Sequence, residues 1–244
     1  MVVLVASILT AVALIRGPLS TPLLAALAQP PAGGYRYTKS EGMTLLGGEG
    51  HFQILIRFNR EIWIGSDGSG RLTERRGDPT YFGISDKAEW KDASYDESID
   101  EVYEPGTLTY VALDDLPRDA SALRAYLLHQ ADPTLPPSSE IFTQARNYLR
   151  ETAAPTDLLQ AFKSVLVSEP EIVAQHDGGK VILSVMQGLP PELRLVMVLN
   201  ESGAMVREER TLLVTASPID AIPPVSLGFT DYLAAQIVNQ LPIP

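Results

Sequence analysis

HFQILIRFNREIWIGSDGSGRLTERR, residues 51–76, is the stretch on which the fold reading turns. Ile54, Ile56 and Phe58 alternate along 51–58, and Ile62 and Ile64 do the same along 61–64. A period of two marks strands with one buried face. Ser66-Asp67-Gly68-Ser69-Gly70 then turns the chain, with glycines where a positive φ is cheap. Residues 71–76 return as a polar, exposed strand, which completes a β-meander. The same glycine run looks superficially like a phosphate loop. No helix follows it to offer an N-terminus to a phosphate, so it reads as a hairpin turn.

Outward from this core, residues 35–39 begin another strand, with Tyr35 and Tyr37 on one face. Residues 79–106 are long, acidic and aromatic without a clear period, and read as a surface excursion. Helical spacing follows: Leu123, Tyr126 and Leu127 within 119–130, then Ile141, Phe142, Ala145, Tyr148 and Leu149 within 137–150. A third amphipathic pattern, Leu158, Leu159, Phe162, Val165 and Leu166, runs through 156–167 behind Pro155. Strands resume as two hairpins. Residues 171–176 and 180–187 flank Asp177-Gly178-Gly179, and 193–199 and 205–214 flank Asn200-Glu201-Ser202-Gly203. Residues 229–238 fit either strand or helix.

Strands, then helices, then strands predict an α+β domain: a curved antiparallel, half-barrel-like sheet with about three helices packed on one face. Leu193, Leu195, Met197 and Leu199 share one face of their strand, yet Val196 and Val198 make the other apolar too. Such a strand is covered on both sides or lines a greasy cavity. Trp63, Leu195, Met197 and Leu199 are therefore the candidate lining of an apolar pocket between sheet and helices. A packed core closed by the 79–106 excursion is the alternative.

The N-terminus speaks to location. Residues 1–15, MVVLVASILTAVALI, carry no charge, and Arg16-Gly17-Pro18 closes them. As a helix the run spans about 22 Å, against a hydrocarbon core of about 30 Å. Pro30-Pro31-Ala32-Gly33-Gly34 reads as a linker leaving a membrane. The expected organisation is an anchor or signal over 1–28, a linker over 29–34, and one extracytoplasmic domain over 35–244, held at the cell membrane by a single pass. No basic flank precedes the apolar run, and a start from which that flank is missing would account for it. Secretion after cleavage near Ala26-Leu27-Ala28 is the second reading, and a buried core helix the third.

Composition narrows the function classes. The net charge of −11 argues against a nucleic-acid partner, which needs a basic stripe. There is no cysteine, so disulfides, thiolate metal sites and cysteine nucleophiles are all excluded. His51, His129 and His176 are scattered, and no hydrolase, zinc-protease or Walker motif is present. Asp96, Glu97, Asp100, Glu101 and Glu104 lack the spacing of a calcium loop and read as a solvated acidic face. No catalytic residue, cofactor or metal ligand is predicted.

The run Arg60-Glu61-Ile62-Trp63-Ile64-Gly65-Ser66-Asp67-Gly68-Ser69-Gly70-Arg71 resembles a hairpin of an uncharacterised actinobacterial membrane-anchored family. Leu116-Pro117, the helical trio, residues 207–214 and Phe229-Thr230-Asp231-Tyr232-Leu233 are similar as well, so the likeness covers most of the chain from Tyr35 onward. Members are often encoded beside extracytoplasmic-function sigma factors. The resemblance implies an outer domain similar to the half-barrels of lipoprotein carriers and envelope-stress regulators, and it supplies no functional residues. The expected function is a non-enzymatic, membrane-tethered domain that binds a lipid, lipoprotein or protein ligand in envelope signalling. An interaction module without a pocket is the alternative, and an envelope hydrolase the more distant one.

Overall fold

The computed structural model describes residues 34–47, 53–82, 98–107, 113–150, 154–187, 192–214 and 222–241. The expected apolar helix and linker of residues 1–33 lie outside the described residues. No helix among the described residues is long and apolar enough to cross a membrane.

Nine strands form one antiparallel, curved, unclosed sheet. In chain order they are β1 (Tyr35–Gly47), β2 (Gln53–Gly65), β3 (Gly70–Tyr81), β4 (Ser98–Tyr103), β5 (Val173–Asp177), β6 (Lys180–Gln187), β7 (Glu192–Leu199), β8 (Met205–Val214) and β9 (Val225–Val238). Their spatial order is β4-β3-β2-β1-β9-β8-β7-β6-β5. Two meanders are thus joined where the last strand pairs with the first. Close approach at that seam needs glycine. A Cβ on Gly42 would sit 2.0 Å from the Phe229 carbonyl oxygen, and one on Gly228, at φ 138°, 2.5 Å from that of Met43.

The connection from β4 to β5 crosses from one sheet edge to the other and carries α1 (Ala120–His129), α2 (Pro137–Leu149) and α3 (Thr156–Ser168). The Asp119 side chain caps α1 by accepting from the Ala122 N–H at 2.9 Å. Proline at 137 starts α2, where the missing N–H costs nothing. Phe142, Phe162, Leu123, Leu127 and Ile141 meet Val181, Leu183, Val185, Leu195, Met197 and Leu199 in one core, with Tyr148 stacked on Phe162 at 5.8 Å. Arg124 of α1 and Ser138 of α2 both reach Glu169 at the end of α3, which ties the helices to each other.

Four readings of the sequence need correction. Residues 53–65 are one continuous strand, because Asn59 and Arg60 pair with Glu41 and Ser40 without a break. The 79–106 segment is not all excursion: its start completes β3, and Ser98–Tyr103 pairs with Gly70–Arg75 as an edge strand. The 229–238 segment is a strand, whose partners β1 and β8 settle what its pattern left open. Of the glycines in the first hairpin, Gly68 has a positive φ of 77° and Gly70 is not among the positive-φ positions. The other hairpins fall where expected, with Gly178 and Gly179 at φ 51° and 81° and Gly203 at 88°.

Candidate functional site

Cross-strand partners point to the same side of a sheet, so the register sorts every side chain. The face under the helices is called inner here. Met197 on β7 leads across this face to Glu208, Thr230, Gly42, Phe58 and Arg76. The next row runs Tyr232, Ser40, Arg60, Glu74 and Ile99. Over β6 and β7 the inner face is aliphatic and covered by α1 to α3. Beyond β7 charged residues enter it, Glu208 and Arg210 on β8 and Arg60, Glu74 and Arg76 on β2 and β3, with Thr38, Ser40 and Gly42 buried on β1 in between. Ile54, Ile56, Ile62 and Ile64 keep the rest of β2's inner face aliphatic.

The expected pocket residues do not come together. Leu195, Met197 and Leu199 lie in the helix–sheet core, with Met197 fully buried. Trp63 is on the outer face instead, opposite Tyr37, with ring centroids 5.1 Å apart. An odd-numbered β2 residue cannot share a face with Phe58 or Arg60. Val196 and Val198, which seemed to demand a second cover, are only half-buried on the outer face beside Ser184 and Ile182. Antiparallel sheets tolerate one such wet face. Val196, Ser184 and Ile182, with Gln175, Arg194 and Glu209, edge an open outer depression.

Of the acidic run, Asp96 and Glu97 lie outside the described residues, and Asp100 and Glu101 are split in the same way. Asp100 faces outward into a two-point contact with Arg71, at 2.8 and 2.7 Å. Glu101 faces inward and accepts from the Tyr103 hydroxyl at 2.6 Å. His129 closes α1 and His176 sits exposed on β5. Among the described residues no three His, Asp or Glu side chains gather where they could hold a metal ion.

What the inner face does gather is arginine. Arg60 and Arg76 converge on Glu74, which is buried on β3: Arg60 Nε donates to one carboxylate oxygen at 2.6 Å and Arg76 Nε to the other at 2.5 Å. Across the small residues of β1 lies a second group. Arg150, just past α2, donates to Glu208 at 2.9 Å, and the Tyr232 hydroxyl donates to the same carboxylate at 2.9 Å. Arg146 approaches it at 3.6 Å, too far for a hydrogen bond, and its Nε is buried without a hydrogen-bond partner. Arg210, two residues along β8, feels Glu208 and Arg150.

The ionisation of this group follows from its charge count. Burial pushes the Glu208 carboxyl up, but Arg150 and Arg146, with hydrogen bonds from Arg150 and Tyr232, outweigh it and hold it at about 2. Burial pushes Arg146 down to about 10, and Glu208 only partly restores its charge because Arg150 and Arg210 oppose it. Arg210 is lowered by burial too. Among the described residues, one carboxylate, Glu208, faces the guanidiniums of Arg146, Arg150 and Arg210.

Nothing in the sequence patterns singled out these arginines, although a signal existed. Arg60 interrupts the apolar alternation Ile54, Ile56, Phe58, Ile62, Ile64. Arg146 and Arg150 continue the line of Phe142 at i+4 steps along a helix whose neighbouring positions are core. Polar residues at core positions are the informative exceptions.

The class these features define is an α+β domain with a curved antiparallel sheet, half of whose inner face is sealed by helices. No family model, curated protein or solved structure matches the chain. The likeness to the sigma-factor-associated envelope family rests on its motifs alone.

Proposed function

We propose that the chain is a non-enzymatic binding domain, tethered through residues 1–28 on the outer side of a cell membrane, that takes an amphiphilic ligand on its inner face. The observation that carries this reading is the change of character across that face. It is aliphatic under the helices, over β6 and β7, and beyond them two groups of buried charge, around Glu208 on β8 and Glu74 on β3, stand among the small side chains of β1 and the isoleucines of β2. An amphiphile has that same division, and sites of this kind combine apolar lining with a few placed polar groups. A lipid or the acyl end of a lipoprotein fits the description.

The test is extraction of lipid from the full chain purified out of membranes, followed by mass spectrometry. An amphiphile recovered near one per chain is the expected result. Protein that emerges lipid-free and takes up no apolar dye would overturn it. A second reading, an interaction module with no pocket, is favoured by one fact. The core under the helices is filled, with Phe142, Phe162, Leu183, Met197 and Leu199 all fully buried. That reading predicts the lipid-free outcome.

A further inference from the structure

Among the described residues, the group around Glu208 sets one carboxylate against three guanidiniums. Arg146 and Arg150 stand 3.6 and 2.9 Å from the Glu208 carboxylate, Arg210 lies two residues along β8 on the same face, and a neutral hydroxyl, Tyr232, takes up part of that carboxylate's capacity. Arg146 is 9% exposed, stands 3.6 Å from Glu208, and keeps its Nε without a hydrogen-bond partner. A buried guanidinium is tolerated when it is paired, and one left short of an anion carries a penalty. The chain as a whole is at −11, so this local gathering of arginines is not a by-product of a basic surface.

Resting on the reading of the inner face as the ligand surface, we propose that Arg146, Arg150 and Arg210 form an oxyanion site that takes a phosphate or carboxylate group. Guanidinium forks suit such groups because two parallel N–H donors meet two oxygens. The site lies on the boundary between the aliphatic and charged parts of the inner face, since Met197 is the cross-strand partner of Glu208 and Leu195 of Arg210. A headgroup held there would leave its apolar remainder beside β7 and the helices. A small free oxyanion would satisfy the same donors.

Thermal melts of the full chain in a non-ionic detergent test this, with inorganic phosphate as the probe and sodium chloride at matched ionic strength as the control. At about ten times its Kd, phosphate should raise Tm by roughly 4 °C over chloride. R146Q and R210Q, each alone, should abolish that rise, and R146K should weaken binding about tenfold because lysine lacks the fork. R146K also keeps the test decisive should R146Q fail to fold. Hexyl phosphate, with 1-hexanol as its apolar control, separates the sources. Tighter binding than inorganic phosphate points to a headgroup, and equal binding to a free anion. The proposal is overturned if neither phosphate exceeds chloride, or if the rise survives in R146Q and R210Q. Lipid recovered from membranes with no phosphate response would leave the amphiphile reading standing and remove the oxyanion site. A phosphate response in lipid-free protein would do the reverse.

Discussion

The inner face holds two regions built on opposite principles. Under the helices, Phe142, Phe162, Leu183 and Met197 are fully buried and interchangeable in kind: each contributes by leaving water. A few ångströms along the sheet, Glu208 and Arg146 are buried and Arg150 and Tyr232 half-buried, yet all are specific in kind, because each matters only through its partners. The first region sets stability. The second is expensive to bury, and replacing such groups by apolar residues is often neutral or stabilising. A fold that needed only a core would have continued the aliphatic pattern across β8. Its departure from that pattern is why the binding proposal centres there.

The two regions can be set against each other by mutation. The largest effect is expected from Phe162→Ala, which removes a fully buried ring stacked on Tyr148. Chemical denaturation should show a loss of about 4 kcal/mol. A loss below about 1 kcal/mol would mean that the space around the ring is soft, and would bring back an apolar cavity on the helix side.

Glu208→Gln should come next, at about 3 kcal/mol, since it strands several guanidiniums at once. Its pH signature separates it from any core mutant. The Glu208 carboxyl is held at about 2 in the folded protein, below its ordinary 4.5. A carboxyl depressed by folding contributes stability that is complete above the unfolded value and is lost as pH falls toward the folded one. The wild-type chain should therefore weaken between about pH 4.5 and pH 2, and the glutamine variant should be flatter across that window. Equal acid sensitivity in both proteins would show that the cluster does not lower this carboxyl.

The β7–β8 hairpin links the comparison to the helices. Gly203 has φ 88°, and a Cβ there would lie 2.6 Å from the Leu159 carbonyl oxygen of α3. Gly203→Val should cost about 2 kcal/mol through strain and loss of that close approach. Unchanged stability would mean the hairpin does not dock on α3. The smallest effect is expected on the outer face. Asp231→Asn removes a half-exposed ion pair with Arg207 at 2.9 Å, and should cost no more than about 0.5 kcal/mol. A loss as large as that of Glu208→Gln would erase the distinction between inner and outer charges.

Much of the architecture was legible because it is written in local periodicity. The helices were placed to within a few residues by their apolar stripes and, for the third, by Pro155. The hairpins were placed by Gly178, Gly179 and Gly203. The site was barely legible. Trp63 and Met197 are equally apolar in sequence, and only the register shows that they occupy opposite faces. Residues 229–238 carry too mixed a pattern to choose strand over helix, and they belong to the strand that joins the two halves.

Sequence alone determined that this protein is α+β, that its helices fall between two sets of strands, and that no cysteine chemistry occurs in it. These follow from composition and from spacings of two to four residues, which a chain carries wherever it folds. Tertiary structure alone decided that residues 146, 150, 208, 210 and 232 share one neighbourhood. Their meeting depends on β9 returning to pair with β1 and β8, and on α2 crossing the inner face of the sheet. Charge interactions act through space and not along the chain. The grouping of arginines around Glu208 therefore exists only once those elements are packed.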